Sequence, residues 1–165
     1  MTQLEQSVLN MDESRQRQAD MSEIAQLVAA YGPAAEAINL DFLSCFWSED
    51  ACYDLGESWI VEGKSDILAG YTGDTHKQMV AQGCAHIATV PVIVISGDSA
   101  SATHHVTLFT HRAGGFEVHR IVVARWEFDR SRTGRWTAVS RTLRNVGSTG
   151  ATELLAAAHS APGER

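Results

Sequence analysis

The fold is decided by the stretch AHIATVPVIVISGDSASATHHVTLF, residues 85–109. It contains two runs rich in β-branched residues, 85–96 and 99–112, joined by Gly97-Asp98. A glycine-containing pair between two such runs is typical of a β-hairpin. The sequence therefore predicts two antiparallel strands here, and it places several histidines inside them.

Two more runs of the same kind follow at 116–130 and 135–146. Short connections, AGG and SRTG, separate them from each other and from the first pair. Connections of this length join neighbouring antiparallel strands, so the four runs predict an antiparallel meander.

The first half of the chain has mostly helical patterns. Residues 22–47 have apolar side chains at helical spacing, with Gly32-Pro33 expected to kink or interrupt the helix. Two short strands are predicted at 48–55 and 58–63, then a broken helix at 64–83. A short helix at 148–159 closes the chain. The predicted fold class is α+β: a cone-shaped, curved antiparallel sheet of four long strands plus a short hairpin, wrapped around N-terminal helices.

The chain is expected to form one domain over residues 20–158. Residues 1–19 are polar and predict a flexible tail or a frayed helix. Residues 159–165 are expected to be frayed.

Charge and hydropathy exclude several classes of partner. The net charge is −7 and no run of Lys or Arg is present, which argues against nucleic acid and anionic membranes. No stretch approaches the ~20 apolar residues of a membrane span, and the N-terminus lacks the apolar core of a signal peptide. Three cysteines without a Cys-x-x-Cys pair indicate free thiols. A cytoplasmic location is expected.

The histidines in the predicted strands are candidates for acid–base chemistry. Side chains alternate across a strand, so His104 and His105 face opposite sides of the sheet and one faces the interior. Pairing about the Gly97-Asp98 turn puts His86 near His105. Imidazole titrates near neutral pH, and it donates and accepts hydrogen bonds. The alternative is that these histidines are structural.

Neither a metal nor a cofactor is predicted. The sequence contains no His-Glu-x-x-His motif, glycine-rich phosphate loop or dinucleotide fingerprint. His105 and His111 lie ~20 Å apart along a strand, too far to share an ion.

Other polar and aromatic residues are weaker candidates. Tyr31 and Glu36 would face different sides of a regular helix, but a kink at Gly32-Pro33 could aim both at a cavity. Packing or surface roles are the alternatives for the four candidate substrate contacts, which are Asp41, Tyr53, Trp59 and Arg141.

Several of these segments together resemble a known family. The segments are YGPAAEAINLDFLSCFWSEDACYD, VEGKSDILAGY, GCAHIATVPVIVISGDSASATHHVTLF, RWEF and WTAVSRTLRNV. They resemble the SnoaL-like branch of the nuclear-transport-factor-2-like superfamily, whose nearest characterised relatives include scytalone dehydratase and the bile-acid dehydratases. The resemblance spans roughly residues 20–158 and implies an α+β barrel-like cone with its active site inside.

The resemblance also implies roles for individual residues. His86 matches a catalytic strand histidine, and His105 matches a second one on the next strand. Tyr31 and Glu36 match a tyrosine and an acid, although the family usually has aspartate at the second position. The asparagine of scytalone dehydratase has no counterpart, since Val123 and Ala124 occupy that region.

The leading hypothesis is a cofactor-independent dehydratase, isomerase or cyclase that acts on a hydrophobic carbonyl compound. His86 would be the base and Glu36 would orient it, while His105 and Tyr31 would polarise the carbonyl or protonate the leaving oxygen. The alternative is a non-catalytic protein of the same fold that binds a small molecule or joins an assembly. Epoxide hydrolysis ranks lower because the matched aspartates are missing.

Self-association is also expected. Phe116, Val118, Ile121 and Trp126 are predicted on the outer face of the long sheet, and an apolar outer face needs to be covered. A homodimer or homotrimer would fit the family.

Overall fold

The computed structural model describes residues 3–56 and 59–163. Its helices are α1 (Gln3–Glu36), α2 (Leu40–Phe46), α3 (Lys64–Thr72), α4 (Asp74–Gln82) and α5 (Thr149–Ala156), followed by a short 3₁₀ helix (Ala157–His159). Its strands are β1 (Trp47–Asp54), β2 (Ile60–Glu62), β3 (Cys84–Ala88), β4 (Val92–Ser96), β5 (Ser99–Arg112), β6 (Gly115–Arg130) and β7 (Trp136–Asn145). None of the described helices has the length and hydrophobicity that crossing a membrane requires.

Helix α1 is much longer than its packed part. The segment for which the sequence predicts a flexible tail or a frayed helix is helical from Gln3 onward, and its described side chains are exposed. Packing begins at Asp20, which is buried and accepts a hydrogen bond from Arg130 Nη2 at 2.7 Å. From there the predicted helical spacing brings Ile24 and Val28 into the core.

Of the two outcomes predicted for Gly32-Pro33, a kink or an interruption, the interruption is wrong. Helix α1 continues through Pro33 to Glu36, and the chain breaks afterwards at Ile38, whose φ is 49°. Proline removes one backbone donor, but the turn that follows it is held by the burial of Ala34 and Ala35 against the core. Helix α1 therefore extends far enough to carry Glu36 on its last turn.

The predicted meander is confirmed, with two changes. Residues 85–96 form two strands, β3 and β4, which both pair with β5 and are separated around Pro91, a residue without a backbone donor. In addition, β1 lies parallel to β7, so the sheet is mixed with the order β2-β1-β7-β6-β5-β3. The α+β class is confirmed, and the sheet does not close because β2 and β3 lie at its two ends.

A bulge in β6 decides which side chains face the core. Leu108 pairs with Arg120 but Phe109 pairs with Val118, so one extra residue, His119, lies in β6. Because β6 has one residue more than the matching part of β5, the inward and outward positions of its side chains exchange at the bulge. Counting every second residue along β6 therefore does not tell which side chains on the two sides of the bulge share a face of the sheet.

Trp126 was predicted on the outer face of the sheet, and the bulge makes that prediction wrong. It is fully buried on the inner face, among the rings of Tyr31, Phe46 and Trp47. The other three residues predicted on the outer face, Phe116, Val118 and Ile121, are exposed. Self-association through that face stays a prediction.

Candidate active site

Two cavities lie on the inner side of the sheet. The first has a volume of about 230 Å³ and lies between β1, β7 and helices α3 and α4, with Ile67, Tyr71 and Met79 among its lining residues. The second has a volume of about 450 Å³ and lies between α1 and strands β3 and β5. Tyr31, His86 and Arg141 line both, so these three side chains stand between the two spaces.

Glu36 and His86 form a hydrogen-bonded pair. Glu36 Oε1 lies 3.0 Å from His86 Nδ1, and the same oxygen accepts a hydrogen bond from the His86 backbone N–H at 2.5 Å. Because a carboxylate oxygen accepts, the Nδ1 atom of neutral His86 carries its proton. Nε2 is then left with a free lone pair, the form that a general base requires.

Burial keeps His86 neutral near neutral pH. Desolvation lowers the pKa of His86 most strongly, while the hydrogen bond that His86 donates to Glu36 raises it and the positive charge of Arg141 lowers it. The net effect is a pKa below the ordinary value of 6.5. The imidazole is therefore neutral at pH 7 and available as a base.

The close approach of α1 to β3 depends on Gly32. A Cβ atom built at Gly32 would lie 3.2 Å from both the Cβ atom and the carbonyl oxygen of His86. A side chain there would push α1 away from the backbone that carries His86. Glycine thus allows the contact that brings Glu36 within reach of His86.

Gly32→Ala is expected to lower the free energy of unfolding by about 1 kcal/mol, because the contact with β3 outweighs alanine's better helix propensity. Gly70→Ala is the matched control, since Gly70 is also helical but a Cβ atom there meets nothing within 4 Å. It should raise stability by about 0.5–1 kcal/mol. Urea unfolding of both variants measures the difference; equal shifts of the same sign would contradict the role assigned to Gly32.

Arg141 is a buried cation surrounded by aromatic rings. It is 4% exposed, and its guanidinium carbon lies 4.3 Å from the ring centre of Tyr31 and 4.4 Å from that of Trp126. Its Nη1 donates to the Tyr53 hydroxyl at 2.9 Å. Among the described residues no carboxylate forms an ion pair with it. Arg141, a candidate substrate contact in the sequence, therefore projects inward, and the alternative of a surface arginine is wrong.

Two tyrosine hydroxyls meet at the wall of the first cavity. The oxygens of Tyr31 and Tyr71 are 2.5 Å apart. Burial raises the pKa of both phenols, so both stay protonated at neutral pH. The pair can donate one hydrogen bond outward to a carbonyl or hydroxyl oxygen.

The position predicted for His105 is not the one observed. His105 lines neither cavity, and its neighbour His104 is the histidine on the inner face, 4% exposed. The two alternate across β5, so the expectation that only one faces inward is right, but the residue chosen was wrong. The His104 Nε2 atom accepts a hydrogen bond from Trp126 Nε1 at 3.0 Å.

The remaining predicted contacts divide between the cavity and the surface. Tyr53 and Trp59 line the first cavity, with Trp59 65% exposed at its rim. Asp41 is exposed in the first turn of α2 and lines neither cavity, so it is not placed to touch a ligand there.

Polar residues of the first cavity that the sequence analysis did not single out include Asp66, Tyr71, His76 and Arg120. His76 lies on α4, and its Nε2 is 2.9 Å from the carbonyl oxygen of Ala35, to which it must donate. The spacing of Ile67 and Tyr71 on one face of α3 was a usable signal for Tyr71. His76 had none, because its position depends on how α4 packs.

Comparison with known proteins agrees with this fold. Residues 16–142 match the model of the SnoaL-like domain. No curated protein matches the chain at a significant level.

Among solved structures, an NTF2-like protein with a cystatin-like fold from Novosphingobium aromaticivorans is 34% identical, with a TM-score of 0.85 over 89% of this chain and 96% of that one. A proposed dehydratase of the NTF2-like family from Streptomyces avermitilis is 17% identical, with a TM-score of 0.65 over 79% of this chain and 99% of that one. An NTF2-like superfamily protein from Salmonella enterica is 15% identical, with a TM-score of 0.69 over 83% and 98% of the two chains. The match over residues 16–142 places the protein in the SnoaL-like family.

Proposed function

We propose that the protein is a cofactor-independent acid–base enzyme, a dehydratase, isomerase or cyclase, that acts on a hydrophobic carbonyl compound in the first cavity. The observation that carries this proposal is the Glu36–His86 pair, which leaves a neutral imidazole with a free Nε2 at a cavity wall. The similarity to a proposed dehydratase of the same fold supports the reaction class.

The first step follows from the geometry of the pair. His86 Nε2 takes a proton from the carbon next to the substrate carbonyl, the C–H electron pair forms a carbon–carbon double bond, and the π pair of the carbonyl moves to its oxygen to give an enolate. Imidazolium then forms on His86 beside the Glu36 carboxylate, which stabilises the positive charge. The enolate charge develops close to Arg141, which lines the same cavity.

The second step decides the reaction. In a dehydration the enolate re-forms the carbonyl and expels the hydroxyl from the β-carbon, and the proton that His86 took passes to that oxygen, so that water leaves and His86 returns to its neutral form. In an isomerisation a carbon further along receives the proton from His86. The hydroxyls of Tyr31 and Tyr71 stay protonated and line the same cavity, which supports a role for them in polarising the substrate oxygen.

The apolar lining of the first cavity supports a hydrophobic substrate. Leu55, Ile67 and Met79 provide aliphatic surface, and Trp59 adds a large exposed ring at the rim. Sites of this kind hold the body of a ligand by burial and orient it with a few polar groups.

The test is solvent-deuterium exchange. Wild-type protein is incubated in D₂O with a panel of bicyclic and tricyclic ketones, beginning with decalone, and with the corresponding β-hydroxyketones. Mass spectrometry follows deuterium uptake and loss of water. If no compound reacts above the rate without protein, acid–base catalysis on such ketones is ruled out and a non-catalytic binding protein becomes the better hypothesis.

The rate of deuterium exchange should fall at acid pH because His86 becomes protonated, and we call this fall the acid limb of the pH profile. The pKa of His86 is lowered below 6.5 in the folded protein. The base form is therefore fully present at pH 7, and the rate should fall as pH drops through that lowered pKa. A rate that rises toward acid pH, or an acid limb with its midpoint above 6.5, would contradict His86 as the base.

A further inference from the structure

The second cavity contains two buried donors that the protein itself does not satisfy. Nδ1 of His104 and Nε of Arg141 are buried and have no hydrogen-bond partner. Both residues are 4% exposed, and both line this cavity. Buried donors are nearly always paired, so two unpaired donors beside one cavity indicate a missing acceptor.

His104 is a donor at this site over the ordinary pH range. Its Nε2 accepts from the indole N–H of Trp126, so the proton of the neutral ring lies on Nδ1. Burial, with a further contribution from the charge of Arg141, lowers the pKa of His104 to about 3. The ring is therefore neutral, and Nδ1–H is fixed as the donor by Trp126.

Arg141 brings a positive charge that no acid in the cavity balances. No Asp or Glu occurs among the described residues that line the second cavity. Three aromatic rings contact the faces of the guanidinium, but a ring face does not satisfy the Nε–H group in its plane. A buried cation without a counter-ion is costly, and an anion in the cavity would offset that cost.

The other lining residues restrict the anion to an organic one. Val28, Ile87, Val106 and Trp126 supply apolar surface. One guanidinium and one neutral donor match a single carboxylate better than a doubly charged phosphate. The exposed side chains of Ala29 and Val90 put the mouth of the cavity between α1 and the β3–β4 connection.

We propose that the second cavity binds the carboxylate of an organic acid with a small apolar body, and that the carboxylate accepts hydrogen bonds from Arg141 and His104. This site does not depend on the proposed function. Binding there would stand even if His86 catalysed nothing, and catalysis by His86 would stand if no acid bound.

Calorimetry at pH 7 tests the proposal with naphthoate and its neutral isostere naphthamide. Naphthoate should bind at least about tenfold more tightly than naphthamide, because hydrogen bonds to a charged group are stronger than those to a neutral one. Arg141→Gln should remove this preference. Arg120→Gln should keep it, since Arg120 lines only the first cavity.

Two further measurements test the site, and the first uses wild-type protein, so it does not depend on how a variant folds. In wild-type protein labelled with ¹⁵N-histidine, naphthoate should shift the Nδ1 resonance of His104 and leave that of exposed His119 unchanged. Ala29→Trp, a substitution at the exposed mouth, should weaken naphthoate binding at least about tenfold by occupying the cavity. Equal affinities for acid and amide, or no shift at His104 on saturation, would overturn the proposal.

Discussion

His86→Gln is expected to lower the rate of deuterium exchange by about 10³–10⁴-fold, with the fold retained. Glutamine keeps a side-chain N–H that can donate to Glu36, and the backbone bond from residue 86 to Glu36 does not depend on the side chain. What the variant lacks is a nitrogen that accepts a proton near neutral pH. The loss should therefore appear in kcat, while the KM of the ketone changes little.

His105→Gln is the matched control for this prediction. His105 differs from His86 in lying outside both cavities, and its backbone N–H donates to Thr89 Oγ1, a contact that the substitution leaves in place. Exchange by this variant should stay within about twofold of wild type, as for an ordinary surface change. Similar losses in both variants would point to a general structural effect and remove the case for His86 as the base.

Proton transfer also separates the two hypotheses about function. If the protein only binds the ketone, the wild type should catalyse no deuterium exchange, and His86→Gln should bind the ketone as tightly as the wild type does. An enzyme loses turnover while it keeps binding, because the base acts on the transition state more than on the ground state.

The strands and the helices were predictable because their signals are local. The β-branched runs with glycine turns determine β5, β6 and β7, and helical spacing determines α1 near Ile24 and Val28. The Glu36–His86 pair followed from the family resemblance combined with these elements. It needed only that the last turn of α1 pack against the first residues of β3.

The errors came from features that depend on contacts far apart in the chain. The alternation of side chains along β5 shows that one of His104 and His105 faces inward. Which of them does so depends on how the residues of β5 pair with those of β3 and β6. The bulge at His119, which places Trp126 inside, leaves no mark in the alternation of residue types. The parallel pairing of β1 with β7 and the approach of His76 to Ala35 are likewise set by the assembled core.

Glu36→Gln is expected to lower exchange by about 10²–10³-fold and to move the acid limb of the pH profile to lower pH. Glu36 raises the pKa of His86 through its hydrogen bond and its charge. A neutral amide removes the charge, so the pKa of His86 falls and the base is weaker. The imidazolium formed in the first step also loses the carboxylate that stabilises it. Rates measured from pH 4 to 8 give both effects.

Glu36→Asp and Asp41→Asn complete this test. Aspartate keeps the charge but is one methylene shorter, so Glu36→Asp should lose less activity than Glu36→Gln and shift the limb less. Asp41→Asn removes a carboxylate from an exposed position on α2 that lines neither cavity, and it should leave both rate and limb unchanged. If Glu36→Gln moved the limb to higher pH, or left the rate intact, the carboxylate would not be acting on His86. The hydrogen bonds between Glu36 and His86 would then serve only to hold β3 against the end of α1.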